Sequence, residues 1–164
     1  MLAPDVSFVL HTADPLAGTA GERDSSRVYA EVAPGLGETL ASGTEGSAWR
    51  MSLAKADGAV TVHSFANFAE AYLPVRGAQA ANPPGTSIYG STAVGSGVQP
   101  GMVAKMTVDY SKQELSRSED ARLQLGQGLA KVGAAMETAF GAAQDVEGAV
   151  VDGAIYVVQS RPQP

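Results

Sequence analysis

Four residues near the C-terminus carry side chains suited to one chemistry. Asp145, Glu147, Gln159 and Arg161 lie on two strand-like runs, residues 144–151 and 154–161, on either side of Asp152-Gly153, a dipeptide that favours the tight turn of a β-hairpin. Asp, Glu and Gln offer the oxygen ligands that a hard cation such as Mg²⁺ takes. Arg offers a planar fork of N–H donors matched to phosphate oxygens. Gathered on one face, the four make a metal–polyphosphate site. Left to solvent, they are the mixed-charge face of an ordinary exposed hairpin.

The turn decides which residues meet. A strict two-residue Asp-Gly loop pairs Val151 with Ala154, sets Glu147 opposite Val158 and sends Gln159 to the other face. A three-residue loop with Gly153 left-handed pairs Val150 with Ala154. Asp145 then opposes Gln159, Glu147 is its diagonal neighbour, and Arg161 shares the face. Val146, Val150, Tyr156 and Val158 form the apolar side. The second register separates polar from apolar better and is the expected one.

A second candidate is the turn Pro34-Gly35-Leu36-Gly37-Glu38. Glycines let backbone N–H groups approach a phosphate, and a helix N-terminus adds a favourable dipole. The turn lacks the Lys-Ser/Thr of a Walker A loop and the full GxGxxG spacing of a dinucleotide fold, so a structural tight turn reads equally well. The two histidines, His11 and His63, stand without a partner motif and read as strand residues.

The elements that must position these residues are legible from pattern. Residues 7–12, 27–32, 49–53, 60–65 and 102–110 read as strands, with Val28 and Ala30 on one face and Tyr29 and Glu31 on the other. The polar stretch 18–26 reads as a mobile loop. One or two helical turns follow Glu38, closed by Gly43. A long helix is expected over 118–140, with Ser116 and Glu119 at capping-box spacing, an apolar stripe Leu125, Leu129, Val132, Met136 and Phe140, and Gly141 as C-cap. Gly126, Gly128 and Gly133 weaken that helix, so packing must hold it. Residues 74–101 are rich in Pro, Gly, Ser and Ala and read as an exposed insertion.

Composition closes off other classes. The chain has 164 residues, 45% of them hydrophobic, a net charge of −6 and no cysteine. It has the length of one domain or of one large subdomain. Acidity argues against nucleic-acid binding, and the lack of cysteine removes thiolate chemistry. No apolar run has the length of a membrane span, and the N-terminus lacks the look of a targeting peptide.

The segments SFVLHTADP (7–15), YAEVAPGLGETLASG (29–43) and QDVEGAVVDGAIYVVQSRPQP (144–164) resemble the C-terminal half of the nucleotide-binding domain of the dikinase family, which includes pyruvate, phosphate dikinase, phosphoenolpyruvate synthase and the glucan, water dikinases. SFANFAE (64–70) and TVDYSK (107–112) point to the starch-phosphorylating branch. APGLGETLASGT, SFANFAE and QSRPQP resemble phosphoglucan, water dikinase more than its sister glucan, water dikinase. The likeness spans the chain except 74–101.

The resemblance implies an α+β fold: an ATP-grasp-like C-terminal subdomain, mainly antiparallel sheet with one long helix and a C-terminal hairpin, with residues 1–164 as the C-terminal portion of a dikinase ATP-binding domain. By position it implies Glu147 and Gln159 as ligands of ATP-bound Mg²⁺ and Arg161 as a phosphate contact. Asp145 is an acidic member of the same motif, and Gly35, Gly37 and Glu38 lie beside the nucleotide. The implied reaction passes the β-phosphate of ATP through a phosphohistidine outside this chain to phosphorylated glucan in the chloroplast. The other half of the cleft, the phosphohistidine domain and a starch-binding module have no counterpart here, so the chain alone is expected to be inactive. A non-catalytic binding module, or a dikinase with another acceptor such as pyruvate, are the alternatives.

Overall fold

The computed structural model describes residues 4–16, 22–42, 45–74 and 103–164. Its strands are β1 (Val6–His11), β2 (Arg27–Pro34), β3 (Trp49–Ala54), β4 (Val60–Ser64), β5 (Glu70–Pro74), β6 (Val103–Thr107), β7 (Gln144–Val151) and β8 (Ala154–Pro162). Six of them form the central sheet, in the order β4-β3-β2-β1-β7-β8. Every pairing is antiparallel. Strands β5 and β6 form a separate two-stranded sheet. The fold is α+β, as expected.

Alternation along the strands builds the core. Phe8, Leu10, Val28, Ala30, Val32, Trp49, Met51, Leu53, Val146 and Val150 all point to one face and are buried there. The short helices α1 (Glu38–Ala41) and α2 (Glu114–Arg117) precede the long helix α3 (Glu119–Phe140), which lies across that face. Its Leu129 and Ala130 enter the core, with Leu125, Val132 and Met136 packed at its margin. Phe140, the expected last member of the stripe, is exposed, because the helix runs past the sheet there. The N-cap is Ser118, whose hydroxyl accepts from the Ala121 N–H at 3.1 Å. Ser116 lies within α2 and does not cap α3. Gly141 closes the helix in a left-handed conformation, as expected.

Glycines inside α3 mark its closest approach to the sheet. A Cβ on Gly126 would sit 2.6 Å from Val60 Cγ2, and one on Gly133 would sit 2.6 Å from Val28 Cγ1. Helix propensity is given up for packing distance.

The hairpin differs from the expected register. Its turn is the two-residue Asp152-Gly153 loop, with φ of 48° and 80° and Val151 paired with Ala154. A bulge then intervenes: Gly148 pairs with Val157 and Glu147 with Gln159, leaving Val158 unpaired. The bulge follows from Gly148, where a Cβ would lie 2.3 Å from Phe8 Cζ and 2.4 Å from the Tyr156 carbonyl oxygen. The apolar side of the hairpin is therefore Val146, Val150 and Ile155, whereas Tyr156 and Val158 are exposed.

Of the expected loop 18–26, residues 18–21 lie outside the described residues. Asp24, at its far end, is anchored by paired backbone hydrogen bonds to Asp14 at 3.0 Å. Gly43 and residues 75–101 of the expected insertion also lie outside. Pro74, its first residue, belongs to β5. Strand β5 itself has no counterpart among the expected elements. Its buried Ala71 and Leu73 form a small second core with Val108.

Candidate functional site

The face of the sheet away from α3 collects the polar residues. On β7 and β8, Asp145 lies directly opposite Arg161, and Glu147 directly opposite Gln159. The expected Asp145–Gln159 pairing is thus replaced, but all four residues do share one face, because the bulge at Val158 restores the alternation that the short turn would have broken.

Asp145 is 5% exposed, walled by β1 on one side and β8 on the other. Its Oδ2 accepts from Arg161 Nε at 2.9 Å and lies 2.8 Å from the terminal Nη2. That hydrogen bond and the carboxylate charge push the Arg161 pKa up from its ordinary value. The guanidinium is thereby held in one orientation on an otherwise exposed side chain. Asp145 Oδ1 is buried and has no hydrogen-bond partner among the described residues.

Glu147 and Gln159 make no side-chain hydrogen bond or ion pair to another described residue. Glu147 lines a cavity of about 720 Å³ together with Ser7, Val9, Leu36, Gly37, Glu38 and Val158. The glycine turn and the hairpin, far apart in sequence, meet at this cavity. Gly37 and Glu38 reach it from the start of α1. Gly35 does not line it: its N–H donates to the Asp5 carbonyl at 3.0 Å, and its φ of 71° against Tyr72 makes it a residue of shape. Helix α1 has four residues, so the dipole invoked for this turn amounts to that of a single helical turn.

A cation at Glu147 and Gln159 fits the chemistry of the donors. The two residues are direct cross-strand partners, and their side chains carry a carboxylate and an amide oxygen that no other described residue claims. Among the described residues, no group of three or more His, Cys, Asp or Glu is close enough to hold a metal. Two protein oxygens with the remainder from phosphate and water is the usual manner of Mg²⁺.

Comparison with known proteins gives the chain its relatives. No family model matches it. It is 34% identical over 165 residues to an alpha-glucan water dikinase, chloroplastic, of Citrus reticulata, covering 97% of this chain and 11% of that protein. It is 30% identical over 171 residues to alpha-glucan water dikinase 2 of Arabidopsis thaliana, covering 99% of this chain and 13% of the relative. The corresponding chloroplastic enzyme of Solanum tuberosum is 33% identical over 165 residues. The chain is a relative of the alpha-glucan water dikinases. It spans between 11% and 13% of the length of these relatives. The dikinase resemblance is confirmed at this level. The finer expectation favours the phosphoglucan branch, whereas these relatives carry the name of its sister.

Sequence reasoning about this dikinase relative missed part of the polar face. Ser7 lines the cavity, is 4% exposed, and has a buried hydroxyl without a partner among the described residues. Tyr29 donates to Glu31 Oε1 at 2.8 Å, and Arg50 Nε lies 3.2 Å from the same oxygen. Burial, then the Glu31 hydrogen bond, pushes the Tyr29 hydroxyl far above the ordinary phenol pKa. His11 Nε2 lies 3.8 Å from Asp145 Oδ1. The signal for these residues was the alternation itself: each is one step out of phase with the core residues of its strand. No helix among the described residues is long and apolar enough to cross a membrane.

Proposed function

We propose that the open face binds the polyphosphate of Mg-ATP, and that residues 1–164 are the C-terminal portion of an ATP-grasp-like dikinase nucleotide-binding domain. The observation that carries this reading is the pairing of Glu147 with Gln159 beside the Asp145–Arg161 pair, with Glu147 lining the cavity that Gly37 and Glu38 also line. Glu147 and Gln159 hold the cation. Arg161, fixed by Asp145, presents its remaining N–H donors to phosphate oxygens. Bound Mg²⁺ neutralises phosphate charge, as phosphoryl transfer requires.

The names of the relatives support a glucan as acceptor, with phosphorylated starch glucan the form we favour. The β-phosphate then travels through a phosphohistidine outside this chain. A chloroplast location rests on the relatives named chloroplastic.

Calorimetric titration of the full chain with Mg-ATP tests the site. Binding should weaken at least about tenfold in Glu147→Ala and in Gln159→Ala, consistent with loss of a metal ligand. Binding that is unchanged in both variants, or absent from the wild-type chain, overturns the reading.

A further inference from the structure

We infer that Gln163 and His11 are positioning residues that act through Asp145 to set the orientation of Arg161. This rests on the proposed polyphosphate role of Arg161 for its functional meaning, but not for its geometry.

Gln163 is clamped at both ends of its amide. Its Oε1 accepts from the Ala13 N–H at 3.1 Å, and its Nε2 donates to the Ala13 carbonyl at 2.9 Å. One backbone donor and one backbone acceptor thus fix which end of the amide is nitrogen, an assignment that is otherwise ambiguous for such side chains. The second Nε2 hydrogen faces His11 Nδ1 at 3.4 Å. A nitrogen facing a donor is an acceptor, so the neutral His11 ring carries its proton on Nε2. The ring is further held by the edge of Tyr29, at 6.1 Å between centroids and 82° between planes.

His11 Nε2 lies 3.8 Å from Asp145 Oδ1. That is beyond the ~3.2 Å reach of a direct N–H···O bond. Oδ1 is buried and otherwise unpartnered among the described residues, so the Nε2–H dipole faces an oxygen with no competing hydrogen bond. With Oδ1 turned toward His11, Oδ2 is left to Arg161 Nε and Nη2. Gln163 therefore sets the tautomer of His11, His11 sets the rotation of the Asp145 carboxylate, and Asp145 sets the guanidinium. A wrong tautomer would put a lone pair against Oδ1 and turn the carboxylate away from Arg161.

The test has a spectroscopic arm and a binding arm. Ring ¹⁵N spectra of the full chain, with His11 neutral, should show the Nε2–H tautomer. Gln163→Ala should give a tautomer mixture. The Arg161 Nε–H signal should be protected in the wild type, lost in His11→Phe, and retained in His11→Gln, whose amide can place an N–H near the same point. The His11→Phe variant leaves the Gln163–Ala13 clamp intact and so covers the case in which Gln163→Ala fails to fold. Mg-ATP affinity should fall about three- to tenfold in His11→Phe and recover in His11→Gln. An Nδ1–H tautomer in the wild type, or an unaltered Arg161 signal in His11→Phe, overturns the inference. Failure of the wild-type chain to bind Mg-ATP overturns the polyphosphate reading alone, since the spectra still decide the relay.

Discussion

The two faces of the six-stranded sheet come from the same strands, yet they answer to different demands. On the helix side, Phe8, Leu10, Val32, Trp49 and Met51 are at most 1% exposed and close on α3. On the other side the same strands present Ser7, His11, Tyr29, Glu31, Asp145 and Glu147, joined by hydrogen bonds and ion pairs or left without partners among the described residues. The first face is closed by apolar packing, although Trp49 Nε1 and the Tyr110 hydroxyl are buried there without a partner among the described residues. The second contains buried acceptors and hydroxyls, Asp145 Oδ1 and Ser7 Oγ, that the described residues do not satisfy. Such atoms occur on both faces, so what separates a working face from a packing one is the set of charged side chains that the second face presents, Asp145, Glu147 and Arg161.

If the faces differ in this way, mutations on them must have different consequences. Trp49 is fully buried and packs edge-on to Tyr110, with centroids 5.5 Å apart. Trp49→Ala should lower stability by about 3–5 kcal/mol, the usual range for a large aromatic removed from a core. Glu147→Gln, on the open face, should change stability by less than about 0.5 kcal/mol, as expected for a polar side chain without a partner, while Mg-ATP affinity falls. Urea unfolding of both variants measures the contrast. Comparable destabilisation by the two would mean that the open face is structural.

A smaller effect separates glycines within α3. Gly133→Ala gains helix propensity but drives a Cβ against Val28 of the central strands, so it should destabilise by about 1–3 kcal/mol, as overpacking does. A Cβ on Gly128 would meet only Ile155, its Cδ1 at 2.6 Å and its Cγ1 at 3.9 Å. That is the far end of a flexible side chain, which can rotate away. Gly128→Ala should therefore be neutral or stabilising by up to about 1 kcal/mol. The same substitution thus has opposite signs at two positions of one helix. Thermal midpoints of the two variants decide it, and equal shifts would refute the packing account of the helix.

Much of this division was legible in the sequence, because a period of two assigns faces without knowledge of the fold. Val28 and Ala30 against Tyr29 and Glu31 is one instance, and Asp145 with Glu147 is another. What escaped was set by contacts distant in sequence. The hairpin register depends on Gly148 yielding to the Phe8 ring, a contact with the other end of the chain, and no turn signal encodes it. Strand β5 exists through its pairing with β6, across residues 75–102. The cap of α3 was misassigned because Ser116 and Ser118 are both suitable hydroxyls, and the extended backbone of Ser118, at φ −111° and ψ 121°, decides between them. In the site, Gly37, Glu38 and Glu147 were recognisable singly, but their shared cavity was not, and neither was the place of His11 beside Asp145.

The smallest expected effect concerns alkaline pH and again contrasts the faces. Burial against the core pushes the Tyr110 hydroxyl up to about 12, from an ordinary value of 10.0. Tyr29, on the open face, is raised in the same direction by burial and by Glu31. Above pH 10 the unfolded chain releases these protons while the folded chain keeps them. The unfolded state then binds fewer protons, and stability falls with rising pH. The contribution of Tyr110 is fully present below pH 10 and is lost as pH rises toward about 12. Tyr110→Phe, which keeps the ring against Trp49, should flatten the decline in urea midpoint between about pH 9 and pH 11 while leaving the midpoint at pH 7 nearly unchanged. Tyr29→Phe should flatten it too, but it also removes the donor to Glu31 and should alter the midpoint at pH 7. A Tyr110→Phe profile that overlays the wild type would show that the core face contributes nothing to the alkaline sensitivity.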